Sequence, residues 1–572
     1  DKNAPLAFVP ADTPYVVANL DILDDSTRTA MLAQADAQLP SQLAQLDATA
    51  ERLAAKDPDG ARLLRALHAE FSGKTVEGFA QGAGLDLKGY AALYGLGLAP
   101  VLRVQLSDPA AFENFVVRLE TAYGRKLDTA SAGKQSYRKY VFAASGTELI
   151  LATLDKQAVV ALLPADITPA LLNQALGTVR PQKSLQDDGR LATLAKARGY
   201  RKWVVGELDL TRALPLAIGG KDPLVNAIQK AHAEAISAKT GEPVATQLHS
   251  SPSCMTDAAR IAARVPSMSF GYTRLDARHQ DARFDVALAQ DISKAFAGLK
   301  VELPGLGSAG TAPFDLSVAL PVATLRTFWL AQADAVAAKP FSCPSLSDLN
   351  DSFAKLGPLM QKSAIPPFGD MFGLRIALDS LVSDKNAAMP TFSGRLVLGT
   401  NNPDGLFAMG QMMVPALAKL KPGHDGKPVP LPKDMVSMIG QPAWVAMGDK
   451  ALALGVGAGE DAHLGDTLKD PVGDTGRMFR MHLSGAMYLN WLQLMEQKID
   501  SLAAATATIS KSDEPSIDDV DRDDAAAAAA EVARSKAQFA AMKSQAERID
   551  SIDAEMHVDT NGLVITSQTV LK

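Results

Sequence analysis

The chain has 572 residues, a net charge of −7 and 21% charged side chains. A single hydrophobic core stops growing at about 250–300 residues, so the length excludes a one-domain protein. The mild acidity argues against a nucleic-acid partner, which needs clustered lysine and arginine. No stretch of the sequence reaches the roughly 18 apolar residues of a transmembrane span.

The chain begins at Asp1 with a short polar segment. Such a start is typical of a mature exported protein whose signal peptide has been removed, and it suits a tether behind a lipid-carrying cysteine. We therefore expect a periplasmic protein, either free or anchored to the outer membrane by an N-terminal lipid. An arbitrary boundary of the sequence is the alternative.

The elements predicted in the first half of the chain recur in the same order in the second half. Each half opens with a strand and a helix, and each closes with two strands. The matched segments are 14–23 with 314–325, 100–116 with 392–410, 139–163 with 443–468, 202–217 with 478–495, and 258–288 with 546–571. This order favours an internal duplication with a first repeat at 1–298 and a second at 299–572.

Details inside the matched segments favour the same interpretation. Asp108 and Asn402 each precede a proline at a predicted helix start, where the side chain caps free amides and proline needs no donor. Arg103 and Arg395 occupy similar places in the preceding strands. The segment 139–163, like its match, predicts a hairpin followed by a short helix. The alternative is that any chain of mixed strands and helices repeats such patterns by chance.

Each repeat predicts the α+β class, with a largely antiparallel sheet and helices covering one of its faces. Two regions depart from the common order. The first, at 346–373, predicts a helix followed by a Pro-Pro-Phe-Gly turn, and the second is at 505–524. Residues 505–524 are polar and acidic, which predicts a flexible loop. A long helix is predicted to follow at about 525–549.

The chain has 2 cysteines, Cys254 and Cys343. An exported protein that keeps only two usually pairs them, so we expect a disulfide, with two buried free thiols as the alternative. Neither cysteine lies in a CxxC motif or near a histidine at ligand spacing. A metal or redox role is therefore not predicted.

The motifs that resemble catalytic or cofactor sites lack the context that their chemistry needs. The stretch GLGSAG at 305–310 matches the dinucleotide fingerprint, but a strand follows where a helix is required. We interpret it as a glycine-rich linker between the repeats. Alternating aspartates at 519–523 resemble a calcium loop without its glycine and glutamate. We predict no catalytic residue, no cofactor and no metal ligand, and therefore no enzyme.

The segment VPADTPYVVANLD at 9–21 resembles the opening of an uncharacterised family of bacterial exported envelope proteins and lipoproteins, a domain of unknown function that begins with a Pro-Ala-Asp-Thr motif. The closing segment at 561–572 is similar to the ends of such proteins. The resemblance implies an envelope location without an assigned activity, and it supplies no catalytic residues.

These observations predict a non-catalytic scaffold or assembly factor of the cell envelope, whose partner is an envelope protein or membrane complex. The first alternative is a carrier of an apolar ligand such as a lipid, because the methionine-rich segment 408–417 would suit an adaptable apolar lining. The second alternative is an envelope hydrolase with an unrecognised active site.

Overall fold

The computed structural model describes residues 4–244, 252–308, 311–382, 390–509 and 520–572. The chain divides into two compact units. The first contains Asp1–Ala277, Asp281–Ala287 and Ser342–Ser345, and the second contains Arg278–Gln280, Leu288–Phe341 and Leu346–Lys572. This division follows packing, whereas the repeat boundary after residue 298 stays a prediction.

The first unit is built from short strands and amphipathic helices. Its strands are β1 (Tyr15–Ala18), β2 (Ala91–Leu96), β3 (Ala99–Gln105), β4 (Asp128–Ala132), β5 (Gln135–Phe142), β6 (Thr147–Leu154), β7 (Gln157–Pro164), β8 (Val205–Asp209), β9 (Ser267–Leu275) and β10 (His279–Ala287). Its α-helices are α1 (Asp25–Ala54), α2 (Pro58–Phe71), α3 (Val76–Gly82), α4 (Pro109–Tyr123), α5 (Pro169–Leu176), α6 (Leu185–Asp188), α7 (Arg190–Arg198), α8 (Leu210–Ile218), α9 (Pro223–Thr240) and α10 (Pro252–Ala262).

The second unit contains the remaining strands and helices of the described residues. Its strands are β11 (Phe314–Ala319), β12 (Met371–Val382), β13 (Thr391–Thr400), β14 (Val429–Pro430), β15 (Ala443–Met447), β16 (Ala451–Val456), β17 (Arg477–Ser484), β18 (Ile549–Val558) and β19 (Gly562–Leu571). Its α-helices are α11 (Gln290–Ala297), α12 (Val322–Ala338), α13 (Ser347–Lys362), α14 (Pro403–Met413), α15 (Lys433–Ile439), α16 (Asp461–Thr467), α17 (Gly485–Ile509) and α18 (Val520–Glu547).

The helix starts follow from side-chain capping. Asp108 accepts hydrogen bonds from the backbone amides of Ala110 and Ala111 at the start of α4, and proline occupies the first turn. Asn402 accepts one from Gly405 at the start of α14. The predicted Asx-Pro helix starts are therefore confirmed, because the side chain satisfies amides that have no partner within the helix.

The strands of each unit pair side by side in the same order. In the first unit the order is β5, β6, β7, β3, β2, β1, β8, β9 and β10, with β4 beside β5. In the second unit it is β14, β15, β16, β13, β12, β11, β17, β18 and β19, and every one of these pairs is antiparallel. The predicted α+β class and antiparallel pairing are confirmed.

One predicted element is wrong. The segment 139–163 is predicted to end in a short helix, but its last residues lie in strand β7, which pairs with both β6 and β3. Val159, Ala161 and Leu163 are buried in the core there. Their alternation with less buried neighbours is the pattern of a strand.

The hairpin that corresponds to β15–β16 is therefore β6–β7. Its tip is Asp155-Lys156, and the other tip is Asp449-Lys450. Along the sequence, Pro109 lies as many residues before the first tip as Pro403 lies before the second. Counted from the same prolines, Arg103 corresponds to Val397, which lies two residues after Arg395, so the match of Arg103 with Arg395 stays a prediction.

The predicted acidic loop lies partly outside the described residues, since 510–519 are not among them. Residues 505–509 are the last of helix α17, and 520–524 are the first of α18. The long helix predicted at about 525–549 corresponds to α18, which begins at Val520.

Candidate functional site

Three adjacent strands of the second unit form one wall of an apolar cleft. Phe314 of β11 lies between Leu378 of β12 and Leu483 of β17 in the antiparallel register. Directly opposed residues point to the same face of a sheet. The three side chains therefore form a continuous apolar row.

A register shift in β12 adds a fourth side chain to this wall. Strand alternation alone would turn Leu381 to the face opposite that of Leu378. The pairing with β13 shifts between Leu378 and Ser380, which leaves Asp379 as an extra residue. Such a bulge redirects the side chains that follow it, and Leu381 lines the cleft together with Leu378.

The second wall of the cleft is the first turns of helix α17. The Ser484 hydroxyl accepts a hydrogen bond from the Met487 amide at 3.1 Å, which caps the helix. Asn490 donates to the Leu381 carbonyl at 3.3 Å and ties the helix to β12. A Cβ at Gly485 would lie 1.9 Å from the Ile549 carbonyl oxygen, so only glycine permits this close approach.

The cleft has a volume of about 410 Å³ and lies between the sheet and this helix. Its lining consists of Phe314, Leu378, Leu381, Leu483, Met487, Tyr488 and Trp491. The rings of Tyr488 and Trp491 stack with centroids 6.3 Å apart, and Trp491 is 44% exposed at the mouth. Burial raises the pKa of Tyr488, so its hydroxyl stays neutral. The volume is within the usual range of small-ligand sites.

The opposite face of the same strands is strongly charged. Arg375 of β12 forms two hydrogen bonds with the Asp315 carboxylate, at 3.0 and 2.7 Å, and one with Asp470 at 2.5 Å. Arg480 of β17 lies 3.4 Å from Asp315. All three residues on the strands are almost completely buried. A buried charge requires such pairing, and this cluster therefore fixes the three strands laterally.

The glycine-rich stretch predicted as a linker covers this charged cluster. The Gly305 carbonyl accepts a hydrogen bond from Arg480 at 2.8 Å, and the Pro304 carbonyl accepts one from Arg375 at 3.4 Å. Gly305 has φ of 94°, and a Cβ there would lie 2.3 Å from the Arg375 guanidinium. Glycine is therefore required at position 305 because the backbone there packs against Arg375. Residues 309–310 of the GLGSAG motif lie outside the described residues.

A second buried cluster surrounds Arg395 of β13. Its guanidinium donates to Asp379 at 2.6 Å and to Glu460 at 2.8 Å. Burial and the hydrogen bond with Asp379 raise the pKa of Glu460 to about 7. Burial also opposes ionisation of Asp379, but the hydrogen bonds from Arg395 outweigh it and lower the pKa of that carboxyl. The two carboxyls therefore share one proton at mildly acidic pH and lose it around pH 7.

The two cysteines lie together in the first unit. The sulfurs of Cys254 and Cys343 are 2.05 Å apart, as in a disulfide, and both residues are buried. The Asp257 carboxylate accepts hydrogen bonds from the amides of Ser342 at 2.7 Å and Cys343 at 2.9 Å. The disulfide and this carboxylate together hold the segment Ser342–Ser345 in the first unit.

The described residues also bear on metal binding and on membrane insertion. These residues contain no group of three or more His, Cys, Asp or Glu side chains arranged to hold a metal ion. In the same ranges, no helix combines the length and hydropathy that crossing a bilayer requires.

The patterns in the sequence did not indicate the cleft. The alternation of side chains along β11 assigns them to two faces of the sheet, but it does not indicate which face borders a cleft. No protein-family model, curated protein or solved structure matches the chain.

Proposed function

We propose that this protein is an exported cell-envelope protein that binds an apolar chain, such as the acyl chain of a lipid, in the cleft of the second unit. The observation that carries the proposal is the lining, in which every side chain is aliphatic or aromatic. The charged groups of the same strands all lie on the opposite face. A ligand would therefore be held by burial of apolar surface and not by polar recognition.

The size of the cleft sets the expected affinity. Each buried methylene contributes about 0.8 kcal/mol, so a chain of about ten methylenes gains about 8 kcal/mol. The loss of translational and rotational freedom offsets about 4 kcal/mol of this or more. About 4 kcal/mol remains, so we expect a dissociation constant of about 1 mM.

The cellular location is part of the proposal. Disulfides persist in oxidising compartments such as the periplasm, and the buried Cys254–Cys343 pair is compatible with that environment. Attachment to the outer membrane by an N-terminal lipid stays a prediction from the sequence.

The test is a titration of the purified protein with lauric acid by isothermal titration calorimetry. We expect the wild type to bind with a dissociation constant of about 1 mM. Leu381→Trp should weaken it at least tenfold by filling the cleft without changing its charge. Trp329→Ala is the matched control, because this tryptophan is 39% exposed on α12 and outside the lining.

The proposal fails if the wild type shows no binding with a dissociation constant below about 10 mM, a value tenfold weaker than that expected from burial of ten methylenes. It also fails if Leu381→Trp and Trp329→Ala bind equally well. Native mass spectrometry after gentle purification gives an independent readout, since a bound lipid would add a discrete mass.

A scaffold function is the second candidate, and a different observation favours it. Met412, Met413 and Met438 are 85%, 75% and 85% exposed on α14 and α15. Exposed apolar side chains are frequent in protein interfaces. A photocrosslinker at 412 should then capture an envelope protein that one at Asp434 does not capture, and equal capture at both positions would contradict the scaffold.

We also propose that the two units are diverged copies of one α+β unit. The proposal is supported by their common strand order, by the capped Asx-Pro helix starts and by the Asp-Lys hairpin tips at equal spacing. An experimental structure with a different strand order in either unit would contradict it.

A further inference from the structure

The first unit has a continuous row of apolar side chains on the face of its sheet opposite the core around Val16, Tyr94 and Val101. The row crosses neighbouring strands through directly opposed residues, which point to the same face. In strand order it consists of Leu151, Val160, Leu102, Leu93, Val17, Gly206 and Phe270. We call it the exposed row. The outer face of an antiparallel sheet is normally polar, so an apolar row there is unusual.

The middle and one end of the exposed row are accessible. Leu102 and Leu93 are 37% and 39% exposed, and Phe270 is 36% exposed. A Cβ at Gly206 would lie 2.0 Å from the Phe270 ring, so glycine lets this ring lie over β8. Phe284 of β10 extends the row, because its ring stacks on that of Phe270 with centroids 6.4 Å apart. The apolar surface is therefore continuous from Leu102 to Phe284.

The flanking row on the same face is apolar as well. Its residues lie two positions along each strand from those of the exposed row. They include Pro100, Gly95, Tyr15, Leu208 and Met268. The only polar side-chain atom among these five residues is the Tyr15 hydroxyl, which donates to the Leu98 carbonyl at 3.0 Å. The surface therefore offers a ligand apolar contact and no polar recognition.

The exposed row lies in a recess. At one end, Leu151 is buried in a cluster that includes side chains of α2 and α4. Beside the row, Tyr272 of β9 points to the same face as Phe270, since the two are separated by one residue. The Tyr272 hydroxyl donates to the Gln34 amide oxygen of α1 at 3.3 Å. Helix α1 therefore crosses this face next to the row, which leaves room for a narrow occupant.

The area and length of the exposed row distinguish a small ligand from a protein partner. If a fully exposed phenylalanine presents about 200 Å², the residues Leu93, Leu102, Phe270 and Phe284 leave about 250 Å² accessible. A stable protein interface buries about 800 Å² on each partner, so a second copy of the chain would need much more surface. From β3 to β10 the row spans six strands, which is about 24 Å and suits an extended palmitoyl chain.

We propose that the first unit binds one acyl chain, of a lipid or a free fatty acid, along the exposed row. Leu102, Leu93, Val17 and Phe270 form the floor of this site, and burial of apolar surface holds the chain. The site is separate from the cleft of the second unit and does not depend on binding there.

The test is photolabelling of the full chain with a palmitic acid analogue that carries a diazirine at the end of its chain. Peptide mass spectrometry then locates the label. We expect labelling of 91–105 and 267–287, which contain β2, β3, β9 and β10, and suppression by excess unlabelled palmitic acid. Labelling confined to 371–382 or 485–495 would support the cleft of the second unit and would overturn the site in the first.

Leu93→Asn tests the floor of the site. Labelling of 267–287 should fall about fivefold or more, because the chain would have to bury an amide without a partner. Val141→Asn is the matched control and should label like the wild type. Val141 is also 39% exposed on a strand of the first unit, but it opposes Glu148, which lies on the other face from Leu151.

Three results would overturn the proposal. The first is the absence of suppressible label from 91–105 and 267–287 in the wild type. The second is equal labelling of the Leu93→Asn and Val141→Asn variants. The third is a wild-type dimer in sedimentation experiments that Leu93→Asn dissociates, since a second copy of the chain would then cover the exposed row.

Discussion

The two units share a strand order but differ at the centre of their sheets. In the first unit the row that crosses the three central strands is apolar or aromatic, whereas in the second it contains two opposite charges. The corresponding rows are Val16, Tyr94 and Val101 in the first unit and Asp315, Ala377 and Arg395 in the second.

The comparison shows that one topology accepts either kind of centre. An apolar row is stabilised by exclusion from water, and it tolerates the loss of a few methyl groups. A charged row is stable only while each charge has its partner, because the free energy of desolvating an ion is much larger in magnitude than that of desolvating a methyl group. The second unit should therefore be the more sensitive to single polar substitutions and to pH.

The largest difference between the two units, measured as a loss of free energy of unfolding, is expected for Asp315→Asn. The substitution leaves Arg375 and Arg480 without their shared carboxylate, so the free energy of unfolding of the second unit should fall by about 3–5 kcal/mol. Val16→Ala in the first unit should cost about 2 kcal/mol. Urea unfolding followed by hydrogen-exchange mass spectrometry assigns each loss to its unit. Equal losses would refute the comparison.

The next largest effect concerns the pH dependence of the free energy of unfolding of the second unit. The folded pKa of Glu460 is about 7, above the value of about 4.3 in an unfolded chain. Between these two pH values the native state therefore keeps a proton on Glu460 that the unfolded chain releases. The contribution of Glu460 to the free energy of unfolding is complete below pH 4.3 and is lost as the pH rises to 7.

Glu460→Gln should remove this dependence, because the amide is neutral at every pH. Relative to wild type, the variant should gain up to about 3 kcal/mol between pH 4.5 and 7.5. Glu555→Gln is the control, since that side chain is 44% exposed in its pair with Arg477. Parallel pH profiles of Glu460→Gln and wild type, measured by urea unfolding, would show that Glu460 ionises normally.

The smallest effect concerns the buried arginine of the first unit. Arg103 donates to the Tyr94 hydroxyl at 3.1 Å and to the Ala175 carbonyl at 2.8 Å. Tyr94→Phe removes one acceptor, so the first unit should lose about 1–2 kcal/mol. Tyr90→Phe, at a half-buried position, is the control. A thermal scan in which Tyr94→Phe melts at the wild-type temperature would show that the hydroxyl is not needed.

The sequence predicted the features that depend on local chemistry. Asp108 and Asn402 begin helices because an Asx-Pro pair suits a helix start wherever it lies. The α+β class and the order of matched segments followed from strand alternation and its interruption by helices. The short helix predicted at the end of 139–163 is wrong because a short run of alanine, valine and leucine suits both structures.

The cleft could not be predicted, because it depends on contacts between distant parts of the chain. Asp315, Arg375 and Arg480 become neighbours only when β11 pairs with β12 and β17. The bulge at Asp379 that turns Leu381 into the cleft leaves no mark in the sequence.

The disulfide has a consequence for the order in which the two units are completed during synthesis. Cys343 and its flanking residues belong to the first unit, but β11 and α12 of the second unit precede them in the chain. A ribosome that releases the chain from its N-terminus must therefore deliver these two elements before the first unit can close its covalent bond. The first unit is finished only after the second has begun to emerge.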